Sequence, residues 1–438
     1  MSVASTVPSR DDLLASFYEA AKPKDAWRVG IELERHLLQP DGSPLPYAGE
    51  RGVADLIGRF VAEGWSPYFE DGNLVSAKNA DGGWITLEPG NQFEYSGPPF
   101  KRLAAMADDA RRFTDRLDVH LEGSDTVQVA LGYTPFTPVD AITWVPKGRY
   151  VVMREHLART GELAHDMMKA TCAFQASFDF SDEADAAAKV GLGTRLGPLT
   201  TAMLANSPIR HGAPSGFVSF RGHVWTQTDP ARTGFPEAAA AFRFERWLDY
   251  LLDVPMMFHK DDRGWRAARG ATFRDWMRDG IEGRFPTLAD WELHQTSVFP
   301  ELRVKKYIEV RGADCVQLDL GVAFSAWLVG IFYDDEARGL ASEVAARFAS
   351  FGSPAERFEI AVRGGLVGEV GGRRLSAWAE ELVDIGAAGL QRWAPSDRPL
   401  IEPLIAQVAT GESPGHAALR AFQADPTPAG VRRAFRYR

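Results

Sequence analysis

The chain has 438 residues, 45% of them hydrophobic and 25% charged, which suits a globular protein of two or three domains or one large domain with insertions. A formal net charge of -10, with no long Lys/Arg cluster, excludes a nucleic-acid footprint, the terminal RRAFRYR being too short to make one. No stretch reaches the ~18 apolar residues of a membrane span, and residues 1–30 lack a basic start followed by an apolar core, so a cytoplasmic protein with neither membrane nor nucleic-acid partner is expected.

In chain order, DDLLASFYEAA has helical periodicity, and RVGIELERH, residues 28–36, then reads as a strand. Strand alternation puts Val29, Ile31 and Leu33 on one face and Glu32 with Glu34 on the other. Neighbouring acids raise each other's pKa and cost stability unless a cation or a proton lies between them. GVADLIGRFVAEG is helical. WITLE and QFEYS flank PGN, where Pro89 and Gly90 suit the centre of a tight turn, and a hairpin follows. Its polar faces carry Glu88 with Thr86 and Glu94 with Gln92 and Ser96, opposite Ile85, Leu87, Phe93 and Tyr95.

Residues 101–121 form the next helix and TVQVALG the next strand. CAFQASFDF alternates cleanly, with Cys172, Phe174, Ala176, Phe178 and Phe180 opposite Ala173, Gln175, Ser177 and Asp179. A helix is expected from Asp182 to about Asn206, then a strand in GFVSFRGHVW with Ser219, Arg221 and His223 on one side, and a helix in FRFERWLDYLL. RVKKYIEVR reads as one strand with Lys305, Tyr307, Glu309 and Arg311 together. From Leu318 the texture is helix after helix, punctuated by Gly at ends and Pro at starts. With about seven strands and no regular helical crossover between them, an α+β fold follows: a mainly antiparallel sheet surrounded by helices over residues 1–317, with a helical region, 318–438, packed on it.

Each strand taken alone reads as half-buried with a solvated face. Together, Glu32, Glu34, Glu88, Glu94, Gln175 and Glu309 beside Arg221 and Arg311 describe a funnel for hard divalent cations and a multiply charged anion. Mg²⁺ takes oxygen ligands alongside substrate phosphates, and arginine forks suit phosphate and carboxylate oxygens. The chemistry implied is phosphoryl transfer from a nucleotide. Neither GxxxxGK[ST] nor a well-spaced GxGxxG occurs, and HExxH and GxSxG are absent, so a nucleotide would bind to the sheet face through metals. Cys172 and Cys315, the two cysteines, sit in apolar runs and read as buried thiols.

The motifs GIELE, LEPGNQFEYSG, VPKGRYVVM, HDMMKATCAFQASFDF, ANSPIRHGAPSGF, FRGHVWTQTDPARTG and DWELHQTSVFPELRVKKYIEVRGAD, with a distant GLQRW, resemble the plant-type, also proteobacterial, glutamate-cysteine ligases, in order from about Arg28 to Gly411. The resemblance implies a glutamine-synthetase-like fold whose antiparallel sheet forms an active-site bowl. It also implies joining of the γ-carboxylate of glutamate to the amine of cysteine through γ-glutamyl phosphate, with ATP and Mg²⁺, the first step of glutathione biosynthesis. Carried over by motif, Glu32, Glu34, Glu88 and Glu94 would be metal ligands, completed by Gln175 and Glu309. Lys147, Arg149 and Tyr150 of PKGRY, with Arg221, would hold substrate oxygens; Lys305, Gln175 and Arg311 would serve the nucleotide; and Arg221, Arg311 and Lys147 would carry the catalytic charges. The partners are then small molecules, with a monomer or homodimer as the assembly.

The chain departs from the family pattern where Leu33 stands for a usual His, Ser177 for Asn, Gly222 for Ser in RGHVW, and His165 for Leu in HDMM. These changes leave open a ligase of the same fold using another amine, since a few pocket residues decide between small substrates. A catalytically silent member is the remaining alternative. His36, His165, His211 and His294 read as structural, Trp144 and Trp225 as packing, the 320–333 helix as core or a subunit contact, and the glycine-rich HGAPSG as a candidate closing loop.

Overall fold

The computed structural model describes residues 7–437; Met1 to Thr6, within the first 30 residues considered above, and Arg438, the end of RRAFRYR, lie outside the described residues. Nine strands form one sheet: β1 (Val29–Leu38), β2 (Ser66–Glu70), β3 (Asn73–Lys78), β4 (Trp84–Leu87), β5 (Phe93–Ser96), β6 (Val127–Val129), β7 (Ala173–Phe178), β8 (Leu302–Val304) and β9 (Ile308–Asp314). They run in the order β8-β9-β7-β1-β5-β4-β3-β2, with β6 also on β1, and all pairings are antiparallel.

Register aligns the polar face. Glu32 lies between Gln175 and Ser96, and Glu34 faces Glu94, which in turn faces Thr86. The opposite face is apolar: Ile31, Leu33, Phe174, Phe178, Tyr95 and Ile308 are each no more than 3% exposed. Helices Leu103–Leu121 and Leu318–Tyr333 cover that apolar side; Phe324 and Phe332 meet Phe174 and Phe178 edge-on at 6.5 and 5.2 Å. Burying such rings is worth about 1.5–3 kcal/mol each, which makes this face the foundation of the bowl.

The β4–β5 connection is the expected turn: Asn91 N–H donates to the Glu88 carbonyl and Glu88 N–H to the Gln92 carbonyl. The left-handed residue is Asn91, at φ 72°, a conformation Asn tolerates better than most side chains.

Two expected strands are corrected. GFVSFRGHVW holds a helix, Phe220–Thr226, because the Ser219 hydroxyl caps it by accepting from Gly222 N–H. RVKKYIEVR is a hairpin, not one strand: β8 and β9 are joined by a turn in which Lys305 N–H donates to the Tyr307 carbonyl. The region after Leu318 is helical as expected, apart from a two-residue strand pair at Glu369–Val370 and Arg373–Arg374.

Candidate active site

Within the sheet's polar face lies a cavity of about 320 Å³. Glu32 and Glu34 of β1, Glu94 of β5 and Glu88 of the β4–β5 turn line one part; Arg303 and Lys305 of the β8 hairpin, Arg311 of β9 and Arg221 of the short helix line another. Gln175, Arg149 and Tyr150 also open onto it, with Met153, Met167, Met168, Met257, Phe258 and Trp225 as the apolar lining.

The acidic residues are held by donors on the strands of the sheet. Glu34 accepts from Ala173 N–H at 2.7 Å and from Gln175 Nε2 at 3.0 Å, while Glu94 accepts from Ser96 Oγ at 2.8 Å. Burial and then the neighbouring carboxylates push Glu32, Glu34 and Glu94 well above the ordinary carboxylate range: Glu309 and Glu94 act on Glu32, Glu88 and Glu94 on Glu34, and Glu88 on Glu94. Such a set of hard oxygen donors, short of positive charge on its own side, has the chemistry a hard divalent cation needs. In the side-chain arrangement present, no three acidic, His or Cys groups among the described residues already converge as a metal-holding cluster.

Glu309, expected among the metal ligands, is placed elsewhere. It is fully buried, does not line the cavity, and is bound by Arg303 at 2.5 Å, Lys305 at 2.7 Å and Arg311 at 3.5 Å. Burial raises its pKa, but Arg303, Lys305 and Arg311 outweigh that and hold the carboxyl far below its usual range. Its role here is to array three cations. Arg311 also donates to Gln175 Oε1, and Arg221 Nη2 donates to the Arg311 carbonyl at 3.0 Å. Arg303 is the main cavity residue the sequence reading missed, although it continues the odd-numbered series of Lys305, Tyr307, Glu309 and Arg311 by one step.

Lys147, expected to touch substrate, lies behind the lining: its Nζ donates to the Leu87 carbonyl at 2.8 Å, as does Tyr150 Oη at 2.7 Å, so both brace the strand leading to Glu88. Burial lowers Lys147 to about 8. The HGAPSG stretch is the largely exposed turn and second strand of a short hairpin begun by Ile209–Arg210, and none of its residues reaches the cavity, so it is no lid in this arrangement. Trp225 does more than pack, since it lines the cavity and its buried Nε1–H has no partner among the described residues. Trp144 lies against Arg154, Lys169 and His165, away from the cavity. His294 bonds the Leu251 carbonyl and His165 the Arg154 carbonyl, structural roles as expected; both cysteines are buried and free.

A family model described as glutamate-cysteine ligase family 2 matches residues 28–423. Similar relatives include glutamate–cysteine ligase B, chloroplastic, of Oryza sativa subsp. japonica, 33% identical over 422 residues covering 95% of this chain and 84% of the relative. Another is glutamate–cysteine ligase, chloroplastic, of Medicago truncatula, 34% identical over 427 residues covering 96% and 83%. Among solved structures, glutamate–cysteine ligase from Francisella tularensis in complex with AMP aligns with a TM-score of 0.56 at 13% identity, covering 93% of this chain and 88% of that one. A likeness at that identity speaks for the fold, the glutamine-synthetase-like antiparallel bowl.

The plant relatives' names overturn the cytoplasmic placement expected from the first residues, since they are chloroplastic proteins. Compartment is set by addressing signals that the composition of a folded unit does not report. No helix among the described residues is long and apolar enough to cross a membrane. With one family matched across nearly the whole chain, and relatives one-third identical over almost all of it, the chain belongs to glutamate-cysteine ligase family 2.

Proposed function

We propose that this chain joins the γ-carboxylate of L-glutamate to the amine of L-cysteine at the expense of ATP, by way of γ-glutamyl phosphate, as the first step of glutathione synthesis. The observation that carries the reading is the division of one cavity into a wall of four carboxylates and a wall of arginine and lysine, in a member of this family. A carboxylate is a poor electrophile; phosphorylation gives it a leaving group, and the amine then displaces phosphate.

Arg303, Lys305 and Arg311, fixed by Glu309, hold the transferring phosphoryl oxygens, and Arg221, tied to the Arg311 carbonyl, faces the charge that develops on the γ-carbonyl oxygen. Arg149 holds substrate carboxylate oxygens, and Lys147 and Tyr150 keep the strand leading to Glu88 in place. Glu32, Glu34, Glu88 and Glu94, with Gln175, are the residues that would hold Mg²⁺, which supplies charge neutralisation to the phosphates. Glu309 would join them only by releasing its cations.

Cysteine is favoured over another acceptor by where the family departures fall. Leu33 is in the apolar core, His165 packs on Trp144, Gly222 lies against Val362, and Ser177 opens onto an adjoining cleft of about 190 Å³ that shares Glu32 with the cavity; none of the four lines the cavity itself. The methionine-rich lining of the cavity keeps its walls clear of all four and suits a small soft side chain.

The test is ADP release with ATP, Mg²⁺ and L-glutamate against a panel of amines led by L-cysteine, with mass analysis of products. Cysteine-dependent turnover giving γ-glutamylcysteine is expected. Turnover with a different amine alone overturns the acceptor, and absence of turnover with any amine overturns the ligase reading.

A further inference from the structure

Trp225 lines a second and larger cavity, of about 830 Å³, whose walls include Phe235, Tyr250, Phe358 and Pro236. One of its lining groups does not fit an apolar pocket. Glu301 is only 9% exposed, its Oε2 is sealed from solvent, and its carboxyl makes no hydrogen bond or ion pair among the described residues. The chain holds it there by its backbone alone: Glu301 N–H donates to the Gly234 carbonyl and its own carbonyl accepts from Arg311 N–H. The backbone packs against Oε2 at Gly312, where a Cβ would collide with it. At the mouth the exposed Arg246 and Glu237 cancel in charge, which leaves Glu301 as the charged group of the interior lining.

A buried acid without a donor is costly unless it is neutralised by a proton or by a ligand. Aromatic rings around an acid supply what an ammonium group needs: a counter-ion at short range and ring faces that attract the cation. We propose that this cavity is a second ligand site, taking a small primary amine in its ammonium form on an apolar or aromatic body, with Glu301 as counter-ion. Burial, opposed by Arg221 and Arg311, pushes Glu301 up to about 7, so an arriving ammonium is met by a carboxyl that ionises easily at neutral pH. The site does not depend on the ligase reading, since it stands on its own cavity and its own acid.

Calorimetric titration of the full-length protein with 2-phenylethylamine, 2-phenylethanol and 3-phenylpropionate tests it. The amine is expected to bind, and the alcohol and the anion to bind at least about tenfold more weakly. Glu301→Gln is expected to weaken the amine by about tenfold or more, and Ala355→Trp, which fills the exposed mouth, to do the same. An amine bound no better than the alcohol, or held equally well by the variants, overturns the proposal. Should Glu301→Gln fail to fold, undiminished amine binding by Ala355→Trp overturns it alone.

Discussion

Glu34 is the residue on which the carboxylate wall turns, because it faces Glu94 across the β1–β5 register and spends both oxygens on Ala173 N–H and Gln175 Nε2. Glu34→Gln keeps the shape, removes a carboxylate from the crowded wall and turns one NH2 group towards a donor that Glu34 now accepts from. Turnover is expected to fall by at least about a hundredfold while the protein still unfolds in one cooperative step, the relief of charge offsetting part of the lost acceptor, measured by ADP release and thermal unfolding of the same preparation. A second residue-scale consequence concerns acid. His36 is buried on β1 two residues beyond Glu34, its Nε2 has no partner among the described residues, and desolvation lowers it to about 4. The folded state therefore keeps His36 neutral where the unfolded chain takes up a proton, so its contribution is present above about 6.5 and lost as pH falls towards 4. The raised carboxyls of Glu32, Glu34 and Glu94 act in the opposite sense, gaining protons in the fold. The telling quantity is thus the difference between wild type and His36→Gln: in urea unfolding at pH 7.5 and 4.5, the variant should lose up to about 3 kcal/mol less on acidification.

The helix Phe220–Thr226 aims Arg221, and Ser219 fixes that helix at its start. Its hydroxyl accepts from Gly222 N–H at 3.0 Å and donates to Asp314 Oδ1 at 2.9 Å, in a buried site. Ser219→Ala leaves both groups short of a partner, so a loss of about 1–3 kcal/mol is expected, with a lower kcat/KM as Arg221 loses its anchor; chemical denaturation and kinetics together check it. This element also shows where the sequence misled. Alternating Val218, Phe220 and polar neighbours imitate a strand, whereas the i,i+4 pairs Phe220 with Val224, both buried, and Arg221 with Trp225, both on the cavity, carried the helical signal. The 305–307 turn is illegible for another reason: it holds neither Gly nor Pro, and the ion pairs to Glu309 that accompany it appear only once the strands are paired. The Glu32/Glu34 face, the turn of the β4–β5 hairpin and the alternation of β7 were readable because each is a local pattern that packing reinforced.

At the scale of the whole molecule, the bowl's apolar side is continuous with the C-terminal helices. One core cluster runs from Leu13 to Tyr437, and the helix Leu318–Tyr333 sits between the sheet and the helix Leu375–Trp393. The two helices cross where Gly330 meets Gly386 and Gly389: a Cβ on Gly330 would strike the Gly386 carbonyl, and one on Gly389 the Gly330 carbonyl. Helix periodicity predicts both helices, but the crossing needs the three-dimensional pairing of two glycine sites more than 50 residues apart. Because backbone cannot yield as a side-chain tip does, Gly330→Ala must push the helices apart, and a loss of about 3 kcal/mol or more is expected. The same core decides how that loss is felt. If residues 318–438 fold as a unit separate from 1–317, Gly330→Ala gives two melting steps, with turnover surviving the first. A shared core predicts one step at a lower temperature, in which far-ultraviolet circular dichroism, tryptophan fluorescence and turnover fail together, because loosening the Leu318–Tyr333 helix removes the support under Phe174 and Phe178, the reverse side of the strand that carries Gln175.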